Sequence, residues 1–246
     1  MLKSALIATA LCAAAGAHAA TVDFQDGLNG YEGNLSLVLA KGSPNGIPQG
    51  FRSTATIDLD DSSFPKHSET QWLLRFDDLF GALGVPAGAT INNATLRLFT
   101  KDPSVGTIGV HRMLVDWDRS SSWNGLGNGV TLGVDALATA DDAEIPLLDE
   151  SYVLFDVTSS VTAWAAGAAN FGWAFLTDST DAWTVQTDMY RNAYPDLLAL
   201  RRPLLTIDFT LAPPVSPAPV PLPAAAWLFG GALCGLGLIG RRRVDA

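Results

Sequence analysis

Apolar and polar residues alternate with a period of two in short runs along most of the chain. That spacing puts every second side chain on one face of a β-strand. In the run 54–59, Ala55, Ile57 and Leu59 fall on one face, with Thr54, Thr56 and Asp58 on the other. In 94–99, Ala94, Leu96 and Leu98 share a face while Thr95 and Arg97 point away. Runs of the same kind occupy 35–39, 71–76, 106–113, 152–155, 172–176, 184–187 and 204–209, separated by clusters of Gly, Pro, Asn and Asp. One helix interrupts them. Asp156 can cap a segment whose Val157, Val161, Trp164 and Ala165 form an apolar stripe, and Gly167 can end it. Short strands at this spacing with a single helix predict an all-β fold, an antiparallel β-sandwich of jelly-roll type. No internal repeat is visible.

The two ends depart from this pattern. Lys3, the apolar segment 5–15 and Ala17-His18-Ala19 have the three parts of a secretory signal peptide, with cleavage expected after Ala19. Near the other end, 224–240 is apolar and uncharged and would reach roughly 25 Å as a helix, the short end of what spans a bilayer. Arg241, Arg242 and Arg243 follow at once and should keep that end in the cytoplasm. The expected layout is therefore a signal peptide at 1–19, a β-sandwich domain at 20–211 and a stiff Pro-rich linker at 212–223. A C-terminal transmembrane helix at 224–240 and a basic cytoplasmic tail at 241–246 complete it.

Setting the end segments aside changes the chemistry available. Cys12 and Cys234 both lie in them, so the domain has no cysteine for a disulfide, a thiolate metal site or a nucleophile. Between Ala20 and Ala212, 11 Lys and Arg stand against 24 Asp and Glu, a surplus of 13 negative charges. Such a domain repels nucleic acid and anionic membrane surfaces. It would also repel an acidic polysaccharide unless a local basic patch or a cation intervened.

Val220-Pro221-Leu222-Pro223, the apolar helix and the basic stop together resemble the PEP-CTERM sorting tail of Gram-negative bacteria. The family's usual Val-Pro-Glu-Pro has leucine for glutamate here. The resemblance implies recognition by an exosortase after signal peptidase, anchoring in the inner membrane before processing, and delivery to the cell envelope, the surface or an exopolysaccharide matrix such as a biofilm. Within the domain, Phe24-Gln25-Asp26-Gly27 with Gly30-Tyr31, then Leu73-Leu74-Arg75-Phe76-Asp77, Pro86-Ala87-Gly88-Ala89-Thr90-Ile91 and Ala94-Thr95-Leu96-Arg97-Leu98 look like successive pieces of a DNRLRE-type domain. Trp117-Asp118 with Ser122-Trp123-Asn124, Phe155-Asp156-Val157-Thr158, Trp164, Asn170-Phe171-Gly172-Trp173 and Arg202-Pro203-Leu204-Leu205-Thr206-Ile207 continue the order. That family is a β-sandwich related to polysaccharide-binding modules, so the resemblance implies an extracellular polysaccharide as partner. Arg119 stands where the family usually has an acidic residue, and Gln186-Thr187-Asp188 replaces the family's Ser-Ser-Glu, which would weaken or alter a site built on those carboxylates.

Residue chemistry permits sugar binding. The apolar face of a pyranose stacks on an aromatic ring while neighbouring amides and charges bond its hydroxyls. Trp117 and Trp123, flanked by Arg119 and Asn124, form the expected carbohydrate-binding group, with Trp183 as a further exposed-looking ring. Arg119 would favour an anionic sugar. The alternative is that Trp117 and Trp123 plug the mouth of the sandwich, while Trp72, Trp164 and Trp173 read as core. The acidic groups Asp58-Asp60-Asp61, Asp77-Asp78, Asp141-Asp142-Glu144 and Asp178-Asp181 lack the spacing of a defined calcium loop and read as solvated turns, calcium being the one cofactor they permit. No nucleophile elbow, zinc helix or phosphate loop is present, and His67 and His111 have no recognisable partner in sequence. The expected protein is non-catalytic and binds extracellular polysaccharide. Its rivals are a structural or adhesive matrix protein and a polysaccharide lyase or glycosidase.

The sorting tail leads to one prediction. The mature protein from its native host should lack residues beyond about Pro223, and replacing Pro221 and Pro223 with alanine should leave the tail attached. Mass spectrometry of the surface protein reads the outcome, since an intact anchor peptide carrying Trp227 on the wild type would refute it.

Overall fold

A computed structural model describes residues 18–41, 56–59, 69–82, 84–187 and 200–211, all within one compact unit, Gly16–Ala212. Val220, Pro221, Leu222, Pro223, the stretch 224–240, the three terminal arginines, His67, Asp60 and Asp61 lie outside the described residues, as does nearly all of the expected signal peptide. Among the described residues no helix is long and apolar enough to cross a membrane.

In chain order the described elements are β1 (Ala19–Phe24), β2 (Asn34–Ala40), β3 (Thr56–Leu59), β4 (Thr70–Phe76), β5 (Thr90–Asp102), β6 (Ile108–Arg112), β7 (Asp142–Glu144), β8 (Ser151–Asp156), α1 (Thr158–Ala165), β9 (Trp173–Thr177), β10 (Trp183–Gln186) and β11 (Leu204–Thr210). They make two antiparallel sheets. The first runs β1-β11-β5-β10-β3, with β8 also on β5, and the second runs β2-β4-β9-β6-β7. The described residues are mostly β with one short helix, as the alternation predicts.

That alternation builds the core between the sheets. Leu96, Leu98, Phe155, Trp183, Val185 and Ile207 point in from the first sheet, and Trp72, Leu74, Phe76, Trp173 and Phe175 from the second. Opposite residues of β4 and β9 are paired as Trp72 with Phe175, and their rings stack with centroids 4.5 Å apart. Phe155 meets the edge of Phe175 at 5.9 Å and so links the two layers. The second sheet also carries apolar residues outward. Leu37 and Leu39 on β2, Leu73 on β4 and Ala174 on β9 belong to a separate buried cluster on the far side of that sheet. Three consecutive buried residues, such as Trp72-Leu73-Leu74, signal a strand covered on both faces.

Several details differ from the expectation, among them that β5 extends over Thr90–Asp102 instead of 94–99. Strands β1 and β7 were not read from alternation. Residues 20–24 do alternate, but they adjoin the expected cleavage site; Asp142-Ala143-Glu144 has no strand preference and is extended because it pairs with Ile108–Val110 of β6. Ladder pairing on β6 begins only at Ile108, two residues later than the pattern implied. The helix has Val157, not Asp156, at its N-cap position. The Asp156 carboxylate accepts the Thr158 N–H at 2.9 Å from one residue further out. On the helix stripe Val157, Val161 and Trp164 are buried, whereas Ala165 is exposed, and Gly167 leaves the helix with φ +101°.

Trp164 lies against Trp173 with ring centroids 4.8 Å apart, so α1 closes one side of the core. Trp164→Ala should cost about 3–5 kcal/mol, as aromatic truncations in cores do. Denaturant unfolding of the wild type should show the same midpoint with and without reductant. A midpoint that falls under reduction would mean that a cysteine takes part in the fold.

Candidate functional site

After β6 the chain leaves the sheet and folds back over its outer face before β7. The excursion closes on itself where Met113 and Ala136 form an antiparallel bridge and the Leu114 N–H bonds to Asp135 O at 2.8 Å. Its apolar residues Met113, Trp117, Trp123, Val130 and Ala136 complete the second buried cluster, over Leu37, Leu39, Leu73 and Ala174. Trp117 retains 3% of its surface exposed and Trp123 6%. These rings cover a sheet face rather than plugging the mouth of the sandwich, and neither offers a free face to a sugar. Trp183, the expected exposed ring, is wholly buried in the main core, with its Nε1 donating to Thr100 Oγ1 at 3.1 Å. Stacking on Trp117, Trp123 and Trp183 is thus corrected to packing. Arg119 and Asn124 do reach solvent, but the rings of Trp117 and Trp123 beside them are buried.

Polar contacts set the register of this cover. Trp117 Nε1 donates to Phe171 O at 2.7 Å. Gln71, facing outward on β4, accepts the Val130 N–H at 2.6 Å. Arg75, two turns of the pleat further on the same face, pairs with Asp77 at 2.8 Å and Asp116 at 2.9 Å. Its guanidinium also sits 5.4 Å from the centre of the Trp117 ring. Asn170 donates to Phe76 O at 2.7 Å, and its Oδ1 accepts the Gly172 N–H at 3.0 Å. At Gly172 φ is +70° and a Cβ would lie 2.2 Å from Leu74 O, so only glycine fits.

Beside the cover, toward β7, the outer face is left open as a cleft of about 480 Å³. Its polar lining includes Glu69, Gln71, Thr107, His111, Thr177 and Asp178, and its apolar lining includes Val130, Leu132 and Leu176. The size falls in the range of small-ligand sites. Gly109 makes the space: a Cβ there would come within 2.8 Å of His111 Nε2. His111 keeps 8% of its surface exposed. Its Nδ1 lies 2.9 Å from Leu137 O. A carbonyl can only accept, so Nδ1 carries the proton and Nε2 of the neutral ring is an acceptor. Among the described residues Nε2 has no partner. At the rim Glu69 pairs with Lys41 at 2.7 Å.

The acidic groups have local tasks. Asp118 accepts the N–H and Oγ–H of Ser120 at 2.8 and 2.6 Å, and these bonds hold its pKa below the ordinary carboxylate value. Asp142 Oδ2 accepts the Asp156 N–H at 2.8 Å, and Asp181 accepts the Val105 N–H at 2.9 Å. Asp141 is half-buried and accepts from Ser160 Oγ and from Trp173 Nε1 at 3.0 Å. Burial pushes its pKa up, against those two hydrogen bonds and the nearby Arg112 charge. Among the described residues no group of three or more His, Cys, Asp or Glu is placed to hold a metal ion. On the opposite sheet's outer face Tyr152 is 45% exposed, with the Arg97 guanidinium 4.6 Å from its ring centre.

No protein-family model matches the chain, and no curated protein matches it. The cleft was missed in sequence because its members come from the start of β4, from β6, from β9 and from the far end of the cover. Only the alternation of Gly109 with His111 on β6 hinted at a gap beside an outward imidazole.

Two outcomes follow from this geometry. Trp123→Ala should lower stability by about 3–5 kcal/mol in denaturant unfolding, as large core truncations do; a folded variant of unchanged stability would mean that the ring is not part of the cover. The Asp141 carboxyl binds its proton more tightly folded than unfolded, so its contribution favours folding at low pH. That contribution is lost as pH rises from the ordinary value of 3.8 through the raised one. Asp141→Asn should therefore gain stability relative to wild type as pH rises above 3.8, measured by paired denaturant melts. A difference that stays flat or reverses would contradict the burial argument.

Proposed function

We propose that this chain is an exported, non-catalytic polysaccharide-binding protein, sorted through a PEP-CTERM-like tail to the envelope or extracellular matrix of a Gram-negative bacterium. In this reading residues 20–211 are a DNRLRE-like sandwich of jelly-roll type. Signal peptidase and an exosortase act on its two ends, and 224–240 is the membrane helix used before processing. The observation that carries the binding part is the outer-face cleft. It sets amide, hydroxyl, imidazole and carboxylate groups around an apolar wall of Val130, Leu132 and Leu176. Sugars need that mixture, with hydroxyls to bond and C–H faces to cover.

Neutral and acidic polysaccharides, each offered with and without calcium, test the proposal. The protein should be retained by at least one of them, independently of calcium and without releasing shorter products. Product release would favour the lyase or glycosidase reading, and retention by none would favour a structural matrix role.

A further inference from the structure

We infer that the outer-face cleft takes a neutral glycan, one to two sugar rings at a time, and that His111 Nε2 anchors it by accepting a sugar hydroxyl. The inference rests on the polysaccharide-binding reading above and names the residues and sugar class that reading leaves open.

Three observations meet at this place. The first is a polar group held ready. His111 is more than nine-tenths buried, lines the cleft and is turned by its Nδ1–H bond to Leu137 O, which leaves Nε2 without a partner among the described residues. Nε2 therefore meets only the water of the cleft, and a ligand hydroxyl donating to it would replace that water in a fixed geometry. The second is complementary donor capacity. Gln71 Oε1 is committed to the Val130 N–H, which orients the side-chain amide so that its NH₂ remains as a donor at the cleft wall. Gln71 on β4 and His111 on β6 face the same cleft with β9 between them, so donor and acceptor are placed to meet different hydroxyls of one bound glycan.

The third observation is charge. The cleft's ionisable groups are Glu69, Asp178 and His111. Lys41 is engaged with Glu69. A uronate or sulfated sugar would bring its charge toward carboxylates on a domain with a surplus of 13 acidic residues, whereas a neutral hexose would not. Arg119 sits on the far arm of the covering loop and does not line the cleft, so the anionic preference expected from it does not extend to this site. The volume of about 480 Å³ fits a short stretch of a chain rather than a long one, and the open rim lets a polymer pass through.

The test is titration calorimetry on the full chain with neutral hexasaccharides of glucose, mannose and galactose and with hexagalacturonate. At least one neutral ligand should bind, and hexagalacturonate should bind at least tenfold more weakly. His111→Ala should weaken the neutral ligand about tenfold or more. Ala143→Trp, on the exposed edge strand at the rim, should abolish binding while leaving the thermal melt unchanged, and it decides the matter if His111→Ala does not fold. Tyr152→Ala, on the opposite sheet, should bind as the wild type does. Undiminished binding in both cleft variants, or loss of binding in Tyr152→Ala alone, overturns this inference and leaves the polysaccharide-binding reading standing. Equal or tighter binding of hexagalacturonate overturns the neutral class. Binding of no glycan by the wild type overturns both readings.

Discussion

The second sheet is apolar on both faces, and most of what is distinctive in this domain follows from that. Leu37, Leu39, Leu73 and Ala174 point away from the central core and would expose a continuous apolar patch if nothing lay over them. The excursion after β6 supplies Met113, Trp117, Trp123, Val130 and Ala136 as the cover. Each large side chain buried in this way contributes about 1.5–3 kcal/mol. The hydrogen bonds of Trp117 and Gln71 add about 0.5–1.5 kcal/mol apiece, and the partly exposed Arg75 pairs contribute less. Burial therefore holds the cover down, and the polar contacts decide where it sits.

The cleft is the place where this cover stops short. Over β2 and β4 the loop packs with tryptophans; toward β7 the neighbouring positions are Gly109, Ala140 and Ala143, too small to fill the space. The outward imidazole of His111 is consequently left at the bottom of a cleft instead of under a ring. A domain without cysteine has no cross-link to compensate for weak packing, so the tryptophans are committed to structure. Polar side chains beside them are then what remains available for recognition.

Buried polarity elsewhere follows the same economy. Asp141 gives up hydration to accept from Trp173 and Ser160, which joins the start of β7, α1 and β9 where the two sheets and the helix meet. Arg202, also buried, donates to Asp26 O at 2.7 Å, while Gln25 donates back to Arg202 O at 2.9 Å. The end of β1 and the start of β11 are thus tied across the length of the sequence. The motif residues Gln25, Arg75, Asn170, Gly172 and Arg202 all turn out to position backbone, and none of them lines the cleft.

The alternation of apolar residues was enough to determine an antiparallel all-β domain with one helix. It placed most strands to within two residues and assigned Trp72, Trp164 and Trp173 to the core, because period-two patterning is a local consequence of burying one face. The tail and leader readings were likewise local, since they depend on runs of contiguous residues. What lay beyond local pattern was which second surface an outward side chain meets. Trp117, Trp123 and Trp183 sit among Ser, Asn, Gly and Asp and read as exposed. Yet they are buried, because a loop can be polar in composition and still lay its few apolar residues on a sheet. The continuous runs 37–39, 72–74 and 173–175 carried the signal for that double-sided burial, but not the identity of the cover. Only the tertiary structure brought His111, Gln71 and Asp178 to one cleft, since strand pairing across long loops, not spacing along the chain, makes them neighbours.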